Sequence, residues 1–247
     1  MIPSSPPTVR STLRGWWRDG LARDGFKQTA RNFANHLWEF LRESTPAQRR
    51  QRYGDADYDW DYHVNTTSAI VGWHDRLLGE FHSAYQPTEP ALFRQMMETM
   101  LSLGIDFQAF TFIDVGSGKG RVLLMAANYP FRSVLGLELF PALHRVAQAN
   151  IRAYKSESQR CFAVESVVAD AGEFVFPDGP LVVYLFNPLP EAALIRMMAN
   201  LERSLRENPR TVYVLYHNPL LEHVLAGCSG FQKTMGGHQY SIFRSRG

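Results

Sequence analysis

The segment that most restricts how this chain can fold is Phe112-Ile113-Asp114-Val115-Gly116-Ser117-Gly118-Lys119-Gly120-Arg121. A short β-prone run reaches an acid and then three glycines at alternate positions. A helical pattern follows over 121–128, and a second β-prone run, 133–138, closes on Glu138. Alternate glycines suit a tight strand-to-helix turn that bares its backbone to a ligand. Two strands joined through a helix must run parallel, so this stretch demands a βαβ unit.

The rest of the chain repeats that rhythm. Strands are predicted at 111–115, 133–138, 166–169, 181–186 and 211–216, with helices at 121–128, 141–154 and 191–206 between them. The tail adds strands at 231–235 and 239–244, joined through Gly236-Gly237. The fold class is therefore α/β: a doubly wound, mostly parallel seven-stranded sheet. A further helix is predicted over 91–103, with Leu92, Phe93, Met96, Met97, Met100 and Leu103 on one side and Pro90 in its first turn. At 247 residues and 45% hydrophobic, the chain can fill one such core and carry an extension.

The expected division is an N-terminal helical extension or lid over 1–80 and a ligand-binding domain over 81–247. Residues 1–8 read as disordered. Phe26, Ala30, Phe33, Ala34, Leu37, Trp38 and Leu41 recur at helical spacing, which predicts one apolar face ended by Thr45-Pro46. Arg10, Arg14 and Arg18 lie one helical turn apart, opposite Val9, Leu13, Trp17 and Leu21. Such a helix either caps the domain with its arginines in water or contacts an anionic membrane or partner. Residues 1–52 carry ten Lys/Arg against four Asp/Glu, whereas the whole chain has a net charge of only +2. Bulk charge gives no strong nucleic-acid signal. In residues 55–62, aspartates alternate with Tyr58, Trp60 and Tyr62. Aspartate disfavours strands, so an irregular loop is expected, either solvated or offering aromatic faces to a cation. Cys161 and Cys228 belong to no metal-ligand spacing, and no metal site is expected. The lack of an apolar signal-like or membrane-length run suggests a cytoplasmic protein.

Three ligand chemistries compete for residues 116–120. A phosphate-binding P-loop fails, because Ile113 stands where its first glycine belongs and Gly120 replaces its metal-binding hydroxyl. A dinucleotide fingerprint fits at Gly116 and Gly118 but meets Arg121 at its third glycine position. The third reading is a nucleoside without phosphate, held by a glycine loop and by carboxylates at strand ends. Glu138, 24 residues beyond Asp114, can accept two ribose hydroxyls or stand solvated at its strand end. Asp170 can serve the ligand, cap the next turn, or do both.

Asp114-Val115-Gly116-Ser117-Gly118-Lys119-Gly120 resembles motif I of the class I S-adenosylmethionine-dependent methyltransferases. That resemblance implies S-adenosylmethionine as cofactor and a Rossmann-like sheet. It sets Asp114 toward the ammonium, Gly116, Ser117 and Gly118 against the methionine and ribose, and Asp170 toward the adenine amine between Leu139 and Ala171. Phe81 to Thr88, Phe93 and the methionine-rich helix further resemble the histone-lysine methyltransferases of the telomeric-silencing type. In that family the loop's Tyr and Thr contact the methionine end, which implies the same for Tyr85 and Thr88, although Pro87 replaces the family's acid. The fourth strand runs into Phe186-Asn187-Pro188-Leu189-Pro190, which partly matches the acceptor-binding Asn-Pro-Pro-aromatic pattern of amino-methylating enzymes. Asn187 can aim an acceptor nitrogen, or simply turn the chain. The expected activity is methyl transfer to an amine or hydroxyl of a small molecule or protein, with Asn187 and Tyr85 catalytic. His63, His217 and Tyr85 are candidate bases. A non-catalytic S-adenosylmethionine-binding module, or a membrane-peripheral partner protein, is the alternative.

Overall fold

The computed structural model describes residues 14, 17, 18, 21, 22, 25–34, 56–66, 87–186 and 189–246. The chain forms two compact units, Met1–Asp61 with Thr67–Tyr85, and Tyr62–Thr66 with Gln86–Gly247.

In the first unit, residues 25–34 are helical. The expected apolar face is only partly realised. Phe26 is 67% exposed, and the buried position is Thr29, whose hydroxyl donates to the Gly25 carbonyl at 2.8 Å. Trp17 meets Phe26 and Phe33 edge-on at 6.2 and 5.7 Å. Arg14 and Arg18 are helical and exposed. Arg10, Leu37, Trp38 and Leu41 lie outside the described residues. The expected loop at 55–62 is instead a helix, α1 (Ala56–Tyr62). Its spacing explains the difference. Positions 58 and 62 are one turn apart, so Tyr58 is buried and Tyr62 half-buried, while Trp60 between them is 80% exposed. Burial of that edge outweighs the poor intrinsic propensity of aspartate. Tyr58 and Tyr62 thus share one side of the helix and Trp60 lies on another.

The second unit is built on seven strands in the order β3-β2-β1-β4-β5-β7-β6. They are β1 (Thr111–Val115), β2 (Ser133–Glu138), β3 (Val164–Val168), β4 (Leu181–Phe186), β5 (Val212–His217), β6 (Phe231–Gly236) and β7 (Tyr240–Ser245). The first five are parallel, and β7 runs antiparallel to both β5 and β6. The helices are α2 (Pro90–Ser102), α3 (Arg121–Ala126), α4 (Pro141–Ala153), α5 (Glu191–Glu207) and α6 (Glu222–Ala226). This is the doubly wound seven-stranded sheet expected of the class I methyltransferase, Rossmann-like fold.

Strand alternation sorts the side chains between two faces. Ile113, Val115, Val183, Leu185, Val214 and Tyr216 face α5, which contributes Leu194, Met197, Met198 and Leu201 at helical spacing. Each fully buried aliphatic side chain of this layer contributes roughly 1.5–3 kcal/mol. The other face carries Phe112 and Tyr184, which pack against Phe93 of α2. It also carries Asp114, Gly136 and Glu138. Both polar strand ends therefore share one face with the aromatic layer. Among the described residues, no helix is long and apolar enough to cross a membrane.

Gly136 is the tightest point of this face. A Cβ there would lie 2.6 Å from Ser117 Oγ and 2.7 Å from Leu123 Cδ1. Gly136→Ala should therefore cost about 1–3 kcal/mol of unfolding free energy through overpacking, read as a lower midpoint in urea. A variant as stable as the parent would contradict this packing.

Candidate functional site

The strand order reverses direction between β1 and β4, and ligands of such sheets bind outside the carboxyl ends of the strands at that point. The loop leaving β1 there holds all three of its glycines in the left-handed region, with φ of 77° at Gly116, 53° at Gly118 and 84° at Gly120. A side chain at any of them would be strained. At Gly120 an added Cβ would also come within 3.2 Å of Ala147 Cβ, so this glycine brings α4 against the loop. The Gly116 and Ser117 N–H groups both donate to the Leu137 carbonyl, at 2.8 and 3.0 Å.

Glu138 fixes the rest of the loop. One carboxylate oxygen accepts the Gly118 N–H at 2.7 Å and the other accepts the Phe140 N–H at 2.8 Å. Its carbonyl accepts the Ala169 N–H at 3.1 Å, which ties β2 to the segment bearing Asp170. Burial raises the Glu138 pKa, and the N–H groups of Phe140 and Gly118 oppose that rise. Asp114, one strand away on the same face, is 3% exposed. No described residue hydrogen-bonds its carboxylate. Burial, and then the charge of Glu138, push its pKa well above the usual carboxylate range.

The third strand ends at Val168, so Asp170 lies in the turn beyond it. It caps that turn: Oδ1 accepts the Gly172 N–H at 2.8 Å, and Oδ2 sits 3.3 Å from the Arg196 guanidinium. Asn200 of α5 donates to the carbonyls of Ala171 and Phe174 at 3.1 and 2.8 Å, and so fixes the turn from below. Ala171 is buried and Leu139 half-buried. Ser117 is turned inward: its Oγ is buried, contacts no polar group among the described residues, and fills the space that Gly136 leaves.

Thr88 is buried just ahead of α2, and its Oγ1 lies 2.9 Å from the Tyr184 hydroxyl. That hydroxyl is also 2.8 Å from His217 Nδ1. Burial holds the Tyr184 pKa well above its ordinary value and lowers that of His217 to about 4, so His217 is neutral near pH 7. Phe186 stacks on the imidazole at 3.9 Å. His63 is exposed, in a left-handed turn with φ of 52°. Tyr85 and Asn187 lie outside the described residues.

Sequence reasoning missed two sets of residues. The first is Tyr184, whose signal is a lone hydroxyl in the otherwise apolar run Leu181–Phe186. The second is the pairing of the loop with residues 62–66. Arg121 does not stand as bulk over the loop's helix: its Nε donates to Thr66 Oγ1 at 2.7 Å, and it is almost wholly buried. Lys119 Nζ donates to Asn65 Oδ1 at 3.1 Å, and Asn150 exchanges hydrogen bonds with the Asn65 backbone at 2.8 and 3.0 Å. No short-range pattern announces contacts 54 to 85 residues apart.

No family model and no curated protein matches the chain. Three similar solved structures are methyltransferases. A ribosomal protein L11 methylase from Lactobacillus delbrueckii subsp. bulgaricus is 18% identical, over 66% of this chain and 91% of its own, with a TM-score of 0.45. An RNA methyltransferase from Salinibacter ruber, in complex with S-adenosyl-L-homocysteine, is 19% identical over 65% and 92%, with a TM-score of 0.39. Magnesium protoporphyrin IX methyltransferase from Synechocystis, with bound SAM, is 13% identical over 81% and 96%, with a TM-score of 0.46. Likeness at this distance says nothing of what the present chain acts on.

The buried Asp114 carboxylate gives this site a measurable signature. Because folding raises its pKa, its contribution to stability is full below the unfolded value of about 4 and is lost as pH rises through the folded value. Asp114→Asn should therefore stabilise the ligand-free protein by about 1–3 kcal/mol near neutral pH. The gain should shrink toward pH ~4, where the parent carboxyl is protonated too. Urea titrations across that range check both; a destabilised variant at neutral pH contradicts the assignment.

Proposed function

We propose that this chain is an S-adenosylmethionine-dependent methyltransferase that acts on an amine or hydroxyl acceptor. The observation that carries the proposal is Asp114, a nearly buried carboxylate with no hydrogen-bond donor among the described residues, beside three left-handed glycines at the ligand-binding edge of the sheet. A desolvated anion of this kind is relieved by a cation. S-adenosylmethionine offers an ammonium group and no phosphate, which suits a loop whose N–H groups are already largely satisfied by Leu137 and Glu138.

The chain's residues divide the work. Asp114 takes the ammonium, while Gly116, Ser117 and Gly118 let the backbone approach the methionine and ribose. Each Glu138 oxygen holds one N–H and keeps a further acceptor position for a ribose hydroxyl. Asp170 serves the adenine amine, with Leu139 and Ala171 on the ring. The resemblance of residues 81–88 to the telomeric-silencing enzymes adds Thr88 and Tyr85 at the methionine end, and Asn187 orients the acceptor. The sulfonium supplies an activated methyl group when bound, so the protein's task is in-line positioning and exclusion of water. Transfer would join the acceptor nitrogen or oxygen to the methyl carbon as the sulfur–methyl bond breaks, leaving the cofactor a neutral thioether and releasing the acceptor's proton to solvent.

S-adenosylmethionine should bind in the micromolar range by calorimetry. Asp114→Asn should weaken binding about tenfold or more, the scale of one lost charge-assisted hydrogen bond. Binding should also weaken as acid protonates Asp114. Radiolabelled methyl should pass into one class of a fractionated lysate, and Asn187→Ala should mainly lower that turnover. Tight dinucleotide binding without S-adenosylmethionine binding would sink the proposal. Binding without any methyl transfer would make the chain a sensor or partner module instead.

A further inference from the structure

Tyr184 is the one hydroxyl in a strand otherwise made of apolar residues, and it is completely buried. A phenol placed there costs stability unless its hydroxyl is partnered. It has two partners, Thr88 Oγ1 at 2.9 Å and His217 Nδ1 at 2.8 Å. The three groups join different parts of the site. Thr88 precedes α2 at the end proposed for the cofactor. His217 ends β5 and stacks on Phe186, the residue immediately before Asn187 at the proposed acceptor edge. Tyr184 is also the register partner of Asp114 on the neighbouring strand, and the charge of Asp114 acts on it.

We propose that Tyr184 is a positioning residue that couples the cofactor end of the site to the acceptor edge through a fixed hydrogen-bond chain, Thr88 to Tyr184 to His217. The direction of the chain follows from donor and acceptor strengths. A phenol is a better donor than an aliphatic hydroxyl, and a neutral imidazole nitrogen is the best acceptor of the three groups. Tyr184 therefore donates to Nδ1 and accepts from Thr88, which places the imidazole proton on Nε2. His217 is then a neutral hydrogen-bond donor at the β4–β5 edge, not a base for the reaction. A cation that neutralises Asp114 removes the negative field from the Tyr184 hydroxyl. That strengthens its donation to Nδ1, so a ligand bound at Asp114 is felt at His217. By reciprocity, an acceptor that engages His217 changes cofactor affinity by the same factor.

The inference rests on the proposed cofactor site, and one experiment separates the two. Long-range proton–nitrogen spectra of the full chain, labelled at histidine nitrogens and assigned with His217→Gln, report tautomer and charge directly. His217 should be neutral, with its proton on Nε2, between about pH 6 and 8. Adding S-adenosylhomocysteine, which keeps the ammonium, should shift the Nδ1 resonance. That shift should be lost in Tyr184→Phe, which keeps the ring, and kept in Thr88→Ser, which keeps the hydroxyl. A proton on Nδ1 in the parent protein, or a charged His217 at neutral pH, overturns the chain whether or not Tyr184→Phe folds. Ligand binding that leaves His217 unmoved overturns the coupling alone. Failure of S-adenosylhomocysteine to bind overturns the coupling and the cofactor reading together.

Discussion

Everything at the ligand-binding edge depends on the two hydrogen bonds to the Glu138 carboxylate. Three alternate left-handed glycines cost more backbone entropy than any other residues would, and nothing in their own sequence holds them in one conformation. The Gly118 N–H to Glu138 bond at 2.7 Å supplies that restraint, and the Phe140 N–H holds the same carboxylate from the other side. Gly136 makes the arrangement possible by leaving space under the loop for Ser117 and Leu123. A parallel register that pairs Asp114 with Gly136 on one side and Tyr184 on the other then sets the remaining polar groups.

This arrangement buries two carboxylates within reach of each other, and the two are treated differently. Glu138 receives backbone donors that offset part of its desolvation, whereas Asp114 receives none among the described residues. The difference divides their roles. Glu138 is structural before any ligand arrives, and Asp114 is an unmet demand for positive charge. A site that stores unfavourable energy in the empty state gains affinity when the right cation relieves it, at the expense of stability in its absence.

Much of this was legible in the sequence. β1, β2 and β4 fall on their expected residues, because each is a short run rich in aliphatic and aromatic residues next to Gly, Pro or charge. β3, an edge strand with alternating burial, begins two residues early, at Val164 rather than Ser166. The short helix α6 went unseen, since five residues carry too little periodicity to register. α1 was misread because three aspartates suggest a loop, while its stability comes from where Tyr58 and Tyr62 pack. Asp114, Glu138 and the glycines are singled out by the motif and its spacing, and the fold brings them to one edge of the sheet. The hold of Asp170 on Gly172 is the turn cap that its place in the sequence offers, whereas Arg196 on Asp170, and Thr88 and His217 on Tyr184, come from distant elements.

Lys119 and Arg121 show most clearly why motif reading stops short of a site. In sequence they are two cations inside a glycine loop, the pattern that invites a phosphate. In the fold both are almost wholly buried, and both turn to the segment 62–66, where Asn65 and Thr66 accept from them. Asn150 completes the set by donating to the carbonyls of both Asn65 and Lys119, at 3.0 and 2.9 Å. Asn65 and Thr66 are neutral, so these bonds fix where the two cations sit without cancelling their charge. A motif that reads as a phosphate cradle thus has its cationic side chains anchored on the protein's own neutral acceptors, through contacts 54 and 55 residues apart.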